Sequence, residues 1–160
     1  KPQEQYKLRK ARRAIYGSDR PKPVTAVVPA ARMSDKKRRE LPIPALDRLA
    51  SMLDQLPDTS RKILFFAPYH SYYQPRPGSR KEIISNECKQ RVVSLAAKYP
   101  RAYVLDFMIR SELTTRDRNY WDHKHYTVTV GNQLTRLIGG AVANGDESEN
   151  YRILLAPEQP

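Results

Sequence analysis

A chain of 160 residues, 39% hydrophobic and 29% charged, has the apolar material for one core and little more. Its formal charge of +12 is lopsided: residues 1–40 hold 13 basic and 4 acidic side chains, a net of +9, whereas residues 41–160 hold 16 and 13, a net of +3. No run approaches the roughly 18 apolar residues of a membrane span, no signal-peptide pattern opens the chain, and the single Cys88 excludes an internal disulfide.

The chain opens at Lys1 without Met, which reads as a processed product or an excised segment. Lys1 to Tyr16 reads as a basic helix with Leu8, Ala11 and Ile15 on one face. The Gly17–Pro23 stretch breaks it. Val24–Val28, bounded by prolines, reads as an edge strand or an extended linker. Asp35–Glu40 is a surface charge cluster, and Leu41–Pro44 is a turn whose last proline can start a helix. The stripe Leu46, Leu49, Ala50, Leu53, Leu56 gives that helix. Ile63–Ala67 is continuously apolar, the pattern of a strand covered on both faces. A helix from about Lys81 to Lys98 follows, with Ile84, Cys88, Val92, Leu95 and Tyr99 on one face, so Cys88 is expected to be a buried, inert thiol. Ala102–Phe107 is a second buried strand. The final helix carries Val130, Leu134, Leu137, Ile138 and Ala141, with Gly145 suited to its C-terminal cap. The organisation is therefore a basic arm or linker (1–40), an α/β body (41–145) and a tail (146–160) whose Ile153–Leu155 can dock.

Helix–strand–helix–strand–helix is the order of a parallel α/β sheet with crossover connections. Two or three strands are few for a covered sheet, so either the domain is incomplete in these residues or the missing strands are expected from another chain or segment. Ligands of open α/β sheets bind beyond the carboxyl ends of the strands. The first strand leads to Tyr69 and His70. The second ends at Asp106 and leads toward Asp122 and His125, so all three histidines fall at one end of the sheet. An Asp-x-x-His step ahead of a helix lets the carboxylate fix the imidazole's tautomer and steady its charged form, which makes the pair the base half of a nucleophilic site. Asp106 is expected to brace its loop.

The segment Tyr120–Ile138, YWDHKHYTVTVGNQLTRLI, resembles the C-terminal block of SGNH (GDSL-type) hydrolases. With FFAPYH and YVLDF, it is similar to bacterial SGNH-like proteins associated with cell-surface polysaccharide. The resemblance spans roughly residues 44–143, the last half of such a domain. It implies a partial flavodoxin-like, three-layer α/β/α fold. It also implies a serine-based esterase or acyl (acetyl) transferase acting on a cell-envelope glycan or similar ester, in the periplasm or cell envelope. His125 is then the catalytic base and Asp122 its orienter, and that chemistry needs no metal or organic cofactor. This sequence departs from the family pattern: it has no strand followed by Gly-Asp-Ser, no oxyanion-hole glycine and no Gly-x-Asn-Asp block. The nucleophile is thus expected outside these residues, and the chain alone is expected to be inactive.

Each feature has a plainer alternative. Asp122 and His125 also suit a structural loop pair. The substrate-binding candidates are His70, Tyr69 and Trp121. Tyr69 can stack on a sugar ring or pack its loop, His70 can line the cleft or be an ordinary loop residue, and Trp121 is expected to anchor its loop by burial. His123 is expected to be exposed. A zinc site using His123, His125 and either His70 or Asp122 is the metal alternative. Residues 1–40 suit an anionic partner, whether nucleic acid, acidic glycan or membrane surface, or else a solvated linker. A non-catalytic basic binding module is the competing function.

Overall fold

The structure, a computed structural model, describes residues 2–157. It has helices α1 (Pro2–Tyr16), α2 (Asp35–Arg39), α3 (Ala45–Leu53), α4 (Arg80–Ala96), α5 (Glu112–Thr115) and α6 (Val128–Asn144). Its strands are β1 (Lys62–Phe66), β2 (Ala102–Asp106) and β3 (Arg152–Leu155). The strands form one mixed sheet in the order β1-β2-β3, with β1 and β2 parallel and joined through α4. This is a small α/β fold. The described residues divide into two compact units, 2–24, 65–74 and 105–153 in one, and 25–64, 75–104 and 154–157 in the other.

In the first unit, α6 lays the face anticipated from its 3.6-residue stripe onto the end of β2. Val130, Leu134 and Ala141 pack with Leu105, Phe107, Leu113 and Tyr151. Gly145 ends α6 in the left-handed region at φ 71°, where a side chain would be strained. A second cluster seats α1, with Ala11, Ile15 and Tyr16 buried against Tyr120. The basic N-terminal helix is thus an integral part of this unit.

In the second unit, α3 packs on α4. Ser79 caps α4 by accepting from the Glu82 N–H at 3.1 Å, and Glu82 reaches back to the Gly78 N–H at 2.7 Å. Gly78 sits at φ 75°, and a Cβ there would lie 2.8 Å from the Val27 carbonyl oxygen. The 25–31 stretch beside it has no regular secondary structure and bends at residues 28–29, and it is paired through Val27 N–H to Pro77 O and Ala31 N–H to Gly78 O, both 2.8 Å. Arg91 donates to the carbonyls of Leu41 (2.7 Å) and Arg39 (3.0 Å) while pairing with Glu87 at 2.8 Å. The buried Lys62 ammonium is satisfied by carbonyls of Pro57, Ser60 and Pro100.

Several sequence expectations change. β1 is not covered on both faces: it takes the edge of the sheet, and Ile63 and Phe65 are exposed. Cys88 is half-buried, because α4 is deeply buried only at Val92 and Ala96. Arg152–Leu155, within the stretch read as a tail, forms the third strand. Among the described residues no helix is long and apolar enough to cross a membrane.

Candidate active site

The loop after β2 returns on itself as a tight hairpin. Tyr120 and Tyr126 form an antiparallel bridge, and the Trp121 N–H donates to the His125 carbonyl at 2.8 Å. Inside it, Asp122 Oδ1 accepts from the backbone N–H of Lys124 (2.7 Å) and of His125 (2.9 Å), an Asx turn. Its other oxygen, Oδ2, lies 2.7 Å from His125 Nδ1. Burial raises the pKa of Asp122, but these bonds from Lys124 and from the ring and backbone of His125 outweigh it and hold the carboxyl down at about 2. Asp122 is therefore ionised, so Nδ1 carries the proton that faces it and Nε2 is left as the basic nitrogen. The imidazole is 70% exposed, open to a reacting group.

The second histidine is placed differently. His70 is 1% exposed, so it does not face a substrate as the sequence reading proposed. Its Nδ1 accepts from the Tyr72 N–H at 3.2 Å, which leaves the proton on Nε2. That Nε2 lies 3.3 Å from Asp117 Oδ1 but is poorly aligned for a hydrogen bond. Burial pushes His70 below the ordinary imidazole value, with the Asp117 charge opposing. Asp117 Oδ1 also accepts from the Tyr16 hydroxyl at 2.6 Å, and its Oδ2 from Arg12 Nε at 2.7 Å. Burial, then the bond to Asp117, raises the Tyr16 hydroxyl well above its usual value. The rings of Tyr16 and Tyr120 meet His70 edge-on at 5.6 and 5.1 Å. Asp117 is the site residue that the sequence did not single out.

His70 nonetheless ties the loops together. Its N–H donates to the His123 carbonyl at 3.0 Å, and the neighbouring Ser71 N–H to Thr114 O at 2.8 Å. His123 is half-buried rather than exposed: its ring lies 4.2 Å from that of Tyr73, and its Nδ1 is 3.4 Å from the Ala14 carbonyl of α1. Tyr69 packs edge-on against Tyr73 at 5.9 Å. Lys124 Nζ sits 5.0 Å above the Tyr73 ring. Trp121 is 61% exposed, contrary to the expected burial, because the hairpin is anchored by Tyr120 instead, whose hydroxyl donates to Pro68 O. Asp106 is buried and accepts from the Met108 N–H at 3.0 Å, the bracing role expected of it. Among the described residues no group of three or more His, Cys, Asp or Glu is arranged to hold a metal ion.

These features define an α/β protein with an ionised Asp–His pair on an exposed hairpin. No protein-family model, curated protein or solved structure matches the chain.

Proposed function

We propose that this chain carries the base and orienter of an SGNH-type serine ester hydrolase or acyl (acetyl) transferase, acting on a cell-envelope glycan or similar ester. The observation that carries the reading is the 2.7 Å contact between His125 Nδ1 and an ionised Asp122, with the rest of the ring open to solvent. In this chemistry His125 Nε2 takes the proton of a serine hydroxyl as it attacks the ester carbonyl. The Nδ1–H stays donated to Asp122, which stabilises the imidazolium. The proton then passes to the departing alcohol. Water or an acceptor hydroxyl, giving its proton to the same nitrogen, then attacks the acyl carbon; the serine ester bond breaks and the serine oxygen recovers that proton. The serine and its oxyanion donors belong, on this reading, to sequence beyond these residues, and a periplasmic or cell-envelope location goes with it. The competing reading, a non-catalytic basic module for an anionic polymer, is supported by the exposed cations of α1.

The test is turnover of a small acetyl ester by the chain in its native sequence context, with His125→Ala and Asp122→Asn beside it. The expectation is loss of turnover in His125→Ala and a drop of about 10⁴-fold when the orienting carboxylate is replaced by an amide. Turnover unchanged in His125→Ala refutes the reading.

A further inference from the structure

We propose that His70 is a positioning residue of the candidate site: while neutral, its ring holds the turn that docks the tip of the Asp122–His125 hairpin, and a proton added to the ring lets that tip go. For its bearing on catalysis the proposal rests on His125 as the base; the latch itself does not.

The hairpin is fixed at two places. At its base Tyr120 is buried, and its hydroxyl donates to Pro68 O. At its tip the hold comes from the loop after β1. The His70 N–H donates to the His123 carbonyl at 3.0 Å, and the Tyr73 ring lies 4.2 Å from that of His123. Both contacts depend on one turn. The Tyr73 N–H returns to the His70 carbonyl at 2.8 Å, and the Tyr72 N–H donates to His70 Nδ1 at 3.2 Å. The imidazole thus closes the turn with a lone pair, as a carboxylate oxygen does in an Asx turn.

A second proton can land only on that lone pair, because Nε2 already carries one. Nε2 finds no aligned acceptor among the described residues, although Asp117 Oδ1 is 3.3 Å away. A proton arriving at Nδ1 turns the acceptor into a donor that faces another donor, and the bond from Tyr72 is lost. The ring is fully buried, so it reaches water only by opening the turn.

The groups around the ring set the direction. Asp117 faces it from the turn before the hairpin, Tyr16 from α1, Tyr120 from the hairpin base and His123 from the tip. Asp117 favours the charged ring, but its own charge is already taken up by Arg12 at 2.7 Å and by the Tyr16 hydroxyl at 2.6 Å. Burial outweighs it and keeps the folded ring neutral to a lower pH than a free one. Proton uptake therefore favours the opened turn. The opened population rises by up to about tenfold for each pH unit below about 6.5. The bond from the Trp121 N–H to the His125 carbonyl uses no atom of His70, so the hairpin is released intact. The base then loses its place as well as its lone pair when the pH falls.

The experiment follows amide hydrogen exchange by NMR in the 160-residue chain, with rates referred to those of an unstructured peptide. Between about pH 7.5 and about pH 5, protection of the His70 and Tyr72 amides is expected to fall about tenfold or more, while that of Trp121 holds. The ring nitrogen shifts of His70 are expected to titrate with the same midpoint, which ties the loss to this imidazole in the unaltered chain. His70→Asn places an amide oxygen where Nδ1 stands and does not titrate, so it is expected to keep the protection throughout. His70→Gln extends its amide toward the Nε2 position and leaves Tyr72 without an acceptor, so it is expected to lack the protection throughout. Protection at His70 and Tyr72 that stays flat with pH, an equal loss in His70→Asn, or a Trp121 amide that opens in step with them each overturns the proposal. The measurement uses no turnover, so its failure leaves the assignment of His125 standing, and loss of that assignment leaves the latch intact.

Discussion

Replacing Asp117 by alanine tests how the site is held. The carboxylate is only 9% exposed and accepts from the Tyr16 hydroxyl and from Arg12 Nε. Without it the buried tyrosine hydroxyl keeps a donor and no acceptor, a cost of about 1–3 kcal/mol. The Arg12 side chain is 31% exposed and regains water, so its share is no more than about 1 kcal/mol. The expected loss is about 1–4 kcal/mol, which for a chain of this size lowers Tm by about 2–16 °C. Asp117→Asn keeps an oxygen for one of the two donors and is expected to lose about half as much. Thermal unfolding followed by circular dichroism measures the loss, and the rate of tryptic cleavage at the basic residues of α1 shows whether that helix lets go first. An alanine variant within about 0.5 kcal/mol of the parent, with α1 equally protected, refutes the view that Asp117 holds the helix to the site.

Gly78→Ala meets both a positive φ and the Val27 carbonyl oxygen, and is expected to cost about 2 kcal/mol or more in denaturant unfolding; a neutral result contradicts the close approach. Because burial lowers the affinity of His70 for a proton, the unfolded chain takes up that proton first as pH falls through about 6.5. Stability is therefore full above that pH and declines below it until the folded ring itself titrates. His70→Gln is expected to flatten this part of a urea-midpoint curve, and an unchanged slope refutes the assignment. The sole tryptophan, Trp121, is exposed, so its fluorescence is expected to be solvent-like and readily quenched by iodide, whereas a shielded, blue-shifted emission contradicts the hairpin geometry.

What was legible in the sequence was what repeats locally. The stripe of α6, its glycine cap, the two parallel strands and the Asp122–His125 pairing all follow from spacing within a turn or a strand. What was not legible depends on distant chain. Asp117 meets Tyr16 and Arg12 across 101 and 105 residues, and no local pattern announces either contact. The burial of His70 follows from that same network, so a loop position that reads as open became interior. β1 has the continuous apolar run of a central strand, yet the sheet order leaves it at the edge with one face bare. Trp121 is exposed for a related reason: the neighbouring Tyr120 fills the interior, and successive residues of an extended segment point opposite ways. β3 is too short, at 4 residues, for its alternation to separate it from an irregular tail.

The geometry of the Asp122–His125 pair is written almost wholly within its own hairpin. One carboxylate oxygen closes the turn through two backbone amides and the other takes the imidazole, so a single side chain shapes the loop and aims the ring at once. Such a unit is portable. Grafted between two short antiparallel strands of an unrelated scaffold, the segment is expected to keep the 2.7 Å approach of carboxylate to imidazole.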